Sequence, residues 1–98
     1  MKIKVEGGGW FNPETAHEFE EATSWDGHNK VSVATGSPWR HQKLYRTAKG
    51  RWVMYSWSQW QGEHASAILI SEEEAFDWLM RNDHEEAIPQ DFMLDNEV

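Results

Sequence analysis

The fold of this 98-residue chain is decided by residues 42–58, which read QKLYRTAKGRWVMYSWS. Two runs rich in β-branched and aromatic residues flank the short loop Ala48-Lys49-Gly50, whose glycine can adopt a positive φ. This pattern predicts a β-hairpin with strands over 42–47 and 51–58. If Thr47 faces Arg51, then Tyr45 lies opposite Val53 and Leu44 lies opposite Met54.

The second strand of this hairpin carries large apolar side chains on both of its faces. Alternation along a strand places Val53, Tyr55 and Trp57 on one face. Trp52, Met54 and Trp60 fall on the other. Because both faces carry aromatic rings, we expect this strand to be central in its sheet or covered on both sides.

Further strands are predicted outward from the hairpin, over 2–5, 30–33 and 65–70, where apolar residues alternate or cluster. The sequence allows two different secondary structures for residues 14–22. Asn12-Pro13 is a suitable start for a short helix over 14–22, whereas residues 18–23 can also form a strand.

A C-terminal helix is predicted after Ser71-Glu72-Glu73-Glu74, which has the pattern of a capping box. The apolar residues that follow are spaced for one helix face, and Asn82 can end the helix in a left-handed conformation. The elements together predict an α+β fold: an antiparallel sheet of about four to five strands, a C-terminal amphipathic helix on one face, and optionally a short N-terminal helix.

Charge is unevenly distributed along the chain, whose formal net charge is −8. Residues 27–62 contain six basic residues and no acidic one, while residues 71–98 contain ten carboxylates and one basic residue, Arg81. Both segments can simply be solvated faces, or they can form a bipolar surface with different partners. We predict one α+β domain over 1–82 and a partly ordered acidic tail over 83–98.

The sequence argues against several kinds of chemistry. It contains no cysteine, its five histidines lack metal-ligand spacing, and it has neither a phosphate-binding loop nor a nucleophile elbow. We therefore predict a protein that is not an enzyme, with no catalytic residue, cofactor or metal. The N-terminus has no apolar signal region and no run is long enough to span a bilayer, so we expect a cytoplasmic protein without membrane contact.

Several blocks of the chain resemble a group of uncharacterised small bacterial and mobile-element proteins. The most specific are LYRT-x2-G-x-W-V at 44–53, WSQWQG at 57–62 and EEA-x2-WL at 73–79, and two lesser blocks are DGHN at 26–29 and ATGS at 34–37. The resemblance covers residues 11–82. It implies one compact α+β domain and supplies no catalytic residue, because the group has no assigned chemistry.

These observations predict a non-enzymatic protein-interaction module. Its partner is expected to be another protein, with a homodimer as one form of this. If a phage or another mobile element encodes the chain, the partner can be a host protein that it inhibits. Tryptophan and arginine are the usual anchors of interfaces, and the predicted partner-binding residues are Arg40, Arg46, Arg51, Trp57, Gln59 and Trp60.

Two other function classes stay open at this point. The basic aromatic hairpin over 40–60 could bind nucleic acid, with rings stacking on bases and cations meeting phosphates. A small-molecule site or an enzyme would instead need a pocket lined by Trp52, Trp57, Trp60 and a histidine. The sequence leaves open whether Trp57 and Trp60 belong to the core or to the surface.

Overall fold

The computed structural model describes residues 1–60 and 62–98, so Gln61 of the predicted WSQWQG block lies outside the described residues. Within that part, the chain forms strands, two α-helices and a short 3-10 turn at Glu85–Ala87. In chain order the elements are β1 Ile3–Lys4, β2 Trp10–Phe11, β3 His17–Glu20, β4 Thr23–Trp25, β5 Lys30–Ser32, β6 Arg40–Arg46, β7 Trp52–Ser58, β8 Ser66–Ile70, α1 Glu72–Arg81 and α2 Gln90–Asp95.

A four-stranded antiparallel sheet in the order β3-β6-β7-β8 forms the centre of the fold. The predicted hairpin is β6–β7, with Leu44 opposite Met54 and Tyr45 opposite Val53, as the loop length predicts. Thr47 N donates to Arg51 O at 2.8 Å and closes the loop. The predicted α+β class, with its antiparallel sheet and C-terminal helix, is confirmed.

The two faces of the sheet are covered to different extents. On one face, Trp52 and Met54 pack with Leu44 against the apolar side of α1, which contributes Phe76 and Trp78. On the other, Tyr45, Val53 and Ala67 pack with Val5 and Phe11. Partly buried side chains join this smaller cluster, namely Ile3, Ala16 and Tyr55. The first face therefore carries the larger core, and the second is thinly covered.

Helix α1 begins as the capping box predicts but ends differently. Ser71 Oγ accepts from Glu74 N at 3.1 Å. The prediction that Asn82 is left-handed was wrong: its φ is −106°, and the left-handed residue is Asp83, with φ 64°. His84 N then donates to Leu79 O at 2.8 Å, which is the bond pattern of a Schellman motif. Asn82 is buried, and its side chain forms hydrogen bonds with Ala22 N and Trp78 O. The left-handed position falls instead on the exposed Asp83.

Residues 14–22 contain strand β3 in place of the optional N-terminal helix. Asn12 Oδ1 accepts from Glu14 N at 2.9 Å, so the predicted helix start caps a turn. Strand β3 follows over His17–Glu20, and of its side chains Phe19 is buried. A single apolar residue between polar neighbours suits a two-residue period, and it cannot supply the broad stripe that a helix needs.

The C-terminal segment packs against the rest of the fold over part of its length. Ile88 is buried in the core beneath the sheet, and the ring of Phe92 lies 4.7 Å from that of Phe76, whereas Leu94 is exposed. No helix among residues 1–60 and 62–98 is long and apolar enough to cross a membrane.

Candidate partner-binding site

The six predicted partner-binding residues lie at the two ends of the β6–β7 hairpin. Arg40 pairs with Ser58 at one end of the ladder, and Arg46 pairs with Trp52 at the other. At about 3.3 Å per residue, the length of β6 separates the two arginines by roughly 20 Å. Trp57, Gln59 and Trp60 lie with Arg40, and Arg51 lies with Arg46.

The end that holds Arg40 presents a tryptophan ridge, formed by Trp39, Arg40, Gln59 and Trp60. The indoles of Trp39 and Trp60 meet edge to face, with centroids 5.9 Å apart. They are 45% and 57% exposed, and both Arg40 and Gln59 are exposed. About half of the surface of each indole therefore faces solvent.

Backbone hydrogen bonds hold the ridge in position. Gln59 N donates to Trp39 O at 2.9 Å, which extends the pairing of β6 and β7 beyond Ser58. Trp60 N donates to Ser58 Oγ, and Trp39 N donates to Ser37 Oγ, each at 3.0 Å. Local serine turns thus restrict both segments that carry the indoles.

A cavity of about 270 Å³ opens beside the ridge and is lined by Arg40, Ser56, Trp57 and His64, among other mainly polar residues. At its rim, Arg40 Nη2 lies 3.3 Å from Glu63 Oε1. Both side chains of this pair are well exposed. A surface pair of this kind contributes little stability, so Arg40 can exchange Glu63 for another carboxylate.

Behind the cavity, the carboxylate of Glu21 joins three segments of the chain. Oε2 accepts from His41 Nδ1, while Oε1 accepts from Ser32 Oγ and Gln42 N, all at 2.7 Å. The His41 ring stacks on Trp57, with centroids 5.4 Å apart. Glu21 therefore holds His41, and His41 supports the Trp57 side chain that lines the cavity.

The tautomer of His41 follows from its contact with Glu21. A carboxylate oxygen accepts, so His41 Nδ1 carries the proton of this hydrogen bond. Its Nε2 is buried and has no hydrogen-bond partner among the described residues. Within that part of the chain, the bond at Nδ1 is therefore the one that holds the ring.

Most rings of the predicted nucleic-acid surface are used inside the fold. Tyr45 and Trp52 are buried, and Tyr55 and Trp57 are half-buried. Lys43 lies between 5.4 and 5.7 Å from the centroids of Tyr45, Tyr55 and Trp57. Its Nζ also lies 2.7 Å from Glu18 Oε1. These groups stabilise one another and offer few open faces for bases.

Electrostatics at Lys43 follow from the same contacts. Burial opposes its charge, but hydrogen bonds with Glu18 and Tyr45 outweigh burial and raise the pKa of Lys43 above its ordinary 10.5. Lys43 is therefore a charged internal support at neutral pH.

The three tryptophans of the predicted small-molecule pocket do not converge. Trp52 packs beneath the sheet against α1, whereas Trp57 contacts Tyr55 on the opposite face, and Trp60 belongs to the ridge. Within the described residues, no three His, Asp or Glu side chains lie close enough together to hold a metal ion.

Comparison of the chain with known protein families, with curated proteins and with solved structures finds no match. The resemblance to small bacterial and mobile-element proteins therefore stays a prediction, and the arrangement of the side chains has to carry the functional argument.

Two contributors to this site were not predicted from the sequence. Trp39 follows the turn-forming residues Gly36-Ser37-Pro38 and precedes β6, and its contact with Trp60 depends on where β6 begins and β7 ends. Glu21 belongs to a run of acidic residues that resembles ordinary surface charge. The sequence signal that could have indicated the ridge is the adjacent pair Trp39-Arg40, because tryptophan and arginine are common interface anchors.

Proposed function

We propose that this chain is a non-enzymatic interaction module that binds another protein through the tryptophan ridge and the cavity beside it. The observation that carries the proposal is the edge-to-face pair of exposed indoles at Trp39 and Trp60, next to exposed Arg40. Tryptophan and arginine are, with tyrosine, the residues most enriched among interface hot spots, and hot spots cluster near the centre of an interface.

The cavity supports a protein partner over a small molecule. Its volume of about 270 Å³ falls below the roughly 300–1,000 Å³ that is typical of ligand pockets. A space of this size suits one anchoring side chain of a partner, with the indoles covering the apolar surface around it. Arg40 and His64 favour an anchor that carries an oxygen acceptor.

The finer parts of the proposal rest on the sequence. If the chain belongs with the mobile-element proteins that it resembles, a host protein inhibited by stoichiometric binding is the partner we favour. The chain contains no cysteine, so its fold does not need an oxidising compartment, and we place the interaction in the cytoplasm. A second copy of this chain is the other protein partner to test.

Affinity capture from a lysate of the native host, read by quantitative mass spectrometry, tests the proposal. We expect Trp39→Ala and Trp60→Ala to lose a partner that the wild type captures. Trp25→Ala is the matched control, because Trp25 is 69% exposed but lies on the β4–β5 hairpin. Equal capture by all four proteins, together with a monomeric wild type in sedimentation, would overturn the proposal.

Nucleic-acid binding is the alternative function, and it receives less support. Its strongest observation is that Arg46, Lys49 and Arg51 cluster at the loop end of the hairpin, but Tyr45 and Trp52 are buried and cannot stack on bases. A gel shift with single-stranded DNA and RNA at rising salt separates the two functions. Binding with a steep salt dependence, weakened by Arg46→Ala and Arg51→Ala, would favour nucleic acid.

A further inference from the structure

A second concave surface lies at the loop end of the hairpin, away from the tryptophan ridge. This loop groove has a volume of about 720 Å³ and its lining includes Trp10, Phe11, Lys49, Arg51, Val53 and Leu69. Its volume falls within the range of roughly 300–1,000 Å³ that is typical of small-molecule sites.

The groove exists because the β1–β2 ribbon is too small to cover its face of the sheet. Each strand of that ribbon has two residues. Val5 and Phe11 cover the middle of the face, but Leu69 on β8 stays 45% exposed. The exposed apolar floor of the groove is therefore formed by Leu69 together with Trp10, which is 58% exposed. Burying this surface against an apolar ligand would be favourable.

The charged groups that line the groove are all positive. Lys49 and Arg51 stand in the hairpin loop, and within the described residues neither forms an ion pair. Lys2 is not one of the lining residues, but its Nζ lies 4.6 Å from the centroid of the ring of Trp10, which is one of them. No Asp or Glu occurs among the described lining residues, although the chain has 17 acidic residues against nine basic ones.

The loop that carries these cations is held in a defined shape. Gly50 N donates to Thr47 O at 2.8 Å, and Arg51 N donates to Thr47 Oγ1 at 3.0 Å. Gly50 has a φ of 80°, a backbone conformation that residues with a side chain rarely adopt. The backbone beneath Lys49 and Arg51 is thus ordered before any ligand arrives, which lowers the entropy cost of binding.

We infer that the loop groove binds a small amphipathic organic anion. Its apolar body lies on the exposed side chains of Trp10 and Leu69, and its negative head meets Lys49 and Arg51. This site lies at the other end of the hairpin from the tryptophan ridge and does not depend on the function proposed above. The positive charges of Lys49 and Arg51 favour a ligand with a negatively charged group. The exposed apolar floor favours a ligand whose remaining part is a hydrocarbon.

Three ligands of matched design test the inference in NMR titrations of the ¹⁵N-labelled chain. Decanoate, used below its critical micelle concentration, has both the apolar chain and the negative carboxylate. Decylammonium has the same chain with a positive charge, and acetate has the carboxylate without the chain. We expect saturable shifts at groove amides such as Gly8, Thr47 and Leu69 with decanoate. Decylammonium should bind at least tenfold more weakly, and acetate should cause no saturable shift.

Variants then separate the charge from the apolar floor. Lys49→Glu and Arg51→Glu should each weaken decanoate binding about tenfold, and Leu69→Gln should weaken it while leaving the charge unchanged. Lys30→Glu is the matched control, because it makes the same charge change on β5, away from the groove. Unchanged amide shifts outside the groove establish that each variant is folded.

Equal affinity for decanoate and decylammonium would overturn the inference, and so would decanoate shifts that map to Trp39 and Trp60. Full decanoate binding by the variant that combines Lys49→Glu and Arg51→Glu would also overturn it. The last such result is a homodimer that Lys49→Glu and Arg51→Glu dissociate, together with a wild type that does not bind decanoate. That result would assign the groove to an acidic segment of a second copy.

Discussion

His41 Nδ1 donates to Glu21 Oε2 at 2.7 Å, and through this bond the chain just after β3 fixes a side chain of β6. The two side chains are only 16% and 10% exposed. Because His41 also stacks on Trp57, this pair connects a buried carboxylate to the wall of the candidate binding cavity. The stability of the fold and the shape of the site therefore depend on the same contact.

Glu21→Ala should destabilise the fold by about 2–4 kcal/mol, because it leaves Ser32, His41 and Gln42 without their acceptor. Urea unfolding followed by far-UV circular dichroism measures the change. Glu20→Ala is the control, since its carboxylate is exposed and forms no ion pair in the described structure. A loss below about 0.5 kcal/mol for Glu21→Ala would show that its hydrogen bonds to Ser32, His41 and Gln42 do not stabilise the fold.

Asp83→Gly should stabilise the protein by about 0.5–1 kcal/mol. Asp83 is exposed and has a φ of 64°, where a side chain costs energy that glycine avoids. Asp83→Ala is the comparison, because alanine removes the charge but keeps the Cβ, and it should give no gain. Thermal unfolding of the three proteins at one pH measures the difference, and an equal gain from alanine would assign the effect to charge.

Asn82→Ala should destabilise the fold by about 2–3 kcal/mol. Asn82 is 2% exposed, accepts from Ala22 N through Oδ1 and donates to Trp78 O through Nδ2, so it ties α1 to the chain after β3. Asn82→Asp keeps the acceptor but buries a carboxylate against the Trp78 carbonyl oxygen, so we expect a loss at least as large as that of Asn82→Ala. Chemical denaturation of all three proteins tests this order, and equal stability of wild type and Asn82→Ala would contradict it.

The contribution of Lys43 to stability should disappear at high pH. Its folded-state pKa is raised, so the charged form stabilises the fold at pH values below the ordinary 10.5, and this contribution is lost as the pH rises through the folded-state pKa. Lys43→Met removes the titrating group. The stability difference between wild type and variant should therefore narrow above about pH 10.5, and a difference independent of pH would rule out this role.

Much of the fold could be predicted from short-range patterns. Gly50 allows the short loop to form, and the length of that loop sets the register of β6 against β7. Once Thr47 faces Arg51, every cross-strand pair of the hairpin can be predicted by counting. Ser71 and the acidic turn after it predict the start of α1 because capping is local chemistry. At the other end of α1, the distant partner Ala22 decides the role of Asn82, and no local pattern contains that information.

The candidate site was harder to predict because it depends on distances that a sequence does not display. Arg40 and Arg51 belong to one basic segment, yet the length of the strands places them at opposite ends of the hairpin. Trp39 and Trp60 are 21 positions apart and meet because β6 begins where β7 ends. Glu21 accepts hydrogen bonds from Ser32 on β5 and from His41 and Gln42 on β6, whereas its sequence neighbours resemble surface charge.

Arg40→Ala should separate binding from stability. The Arg40–Glu63 pair is exposed, so its removal should change the free energy of unfolding by less than about 1 kcal/mol. Binding of the captured partner should weaken at least tenfold, because Arg40 lies between the exposed indoles and the cavity. Glu63→Gln frees Arg40 from its pair and should leave binding equal or stronger. Calorimetric titration of both variants checks this, and a parallel loss of stability and binding in Arg40→Ala would contradict it.

The most direct test is the affinity of the captured partner for wild type, Trp60→Ala and Trp25→Ala, measured by biolayer interferometry with equal folding confirmed for all three. We predict that Trp60→Ala weakens binding at least tenfold and that Trp25→Ala stays within about twofold of wild type. A partner that binds Trp60→Ala as tightly as wild type would contradict the assignment of the interface to the tryptophan ridge.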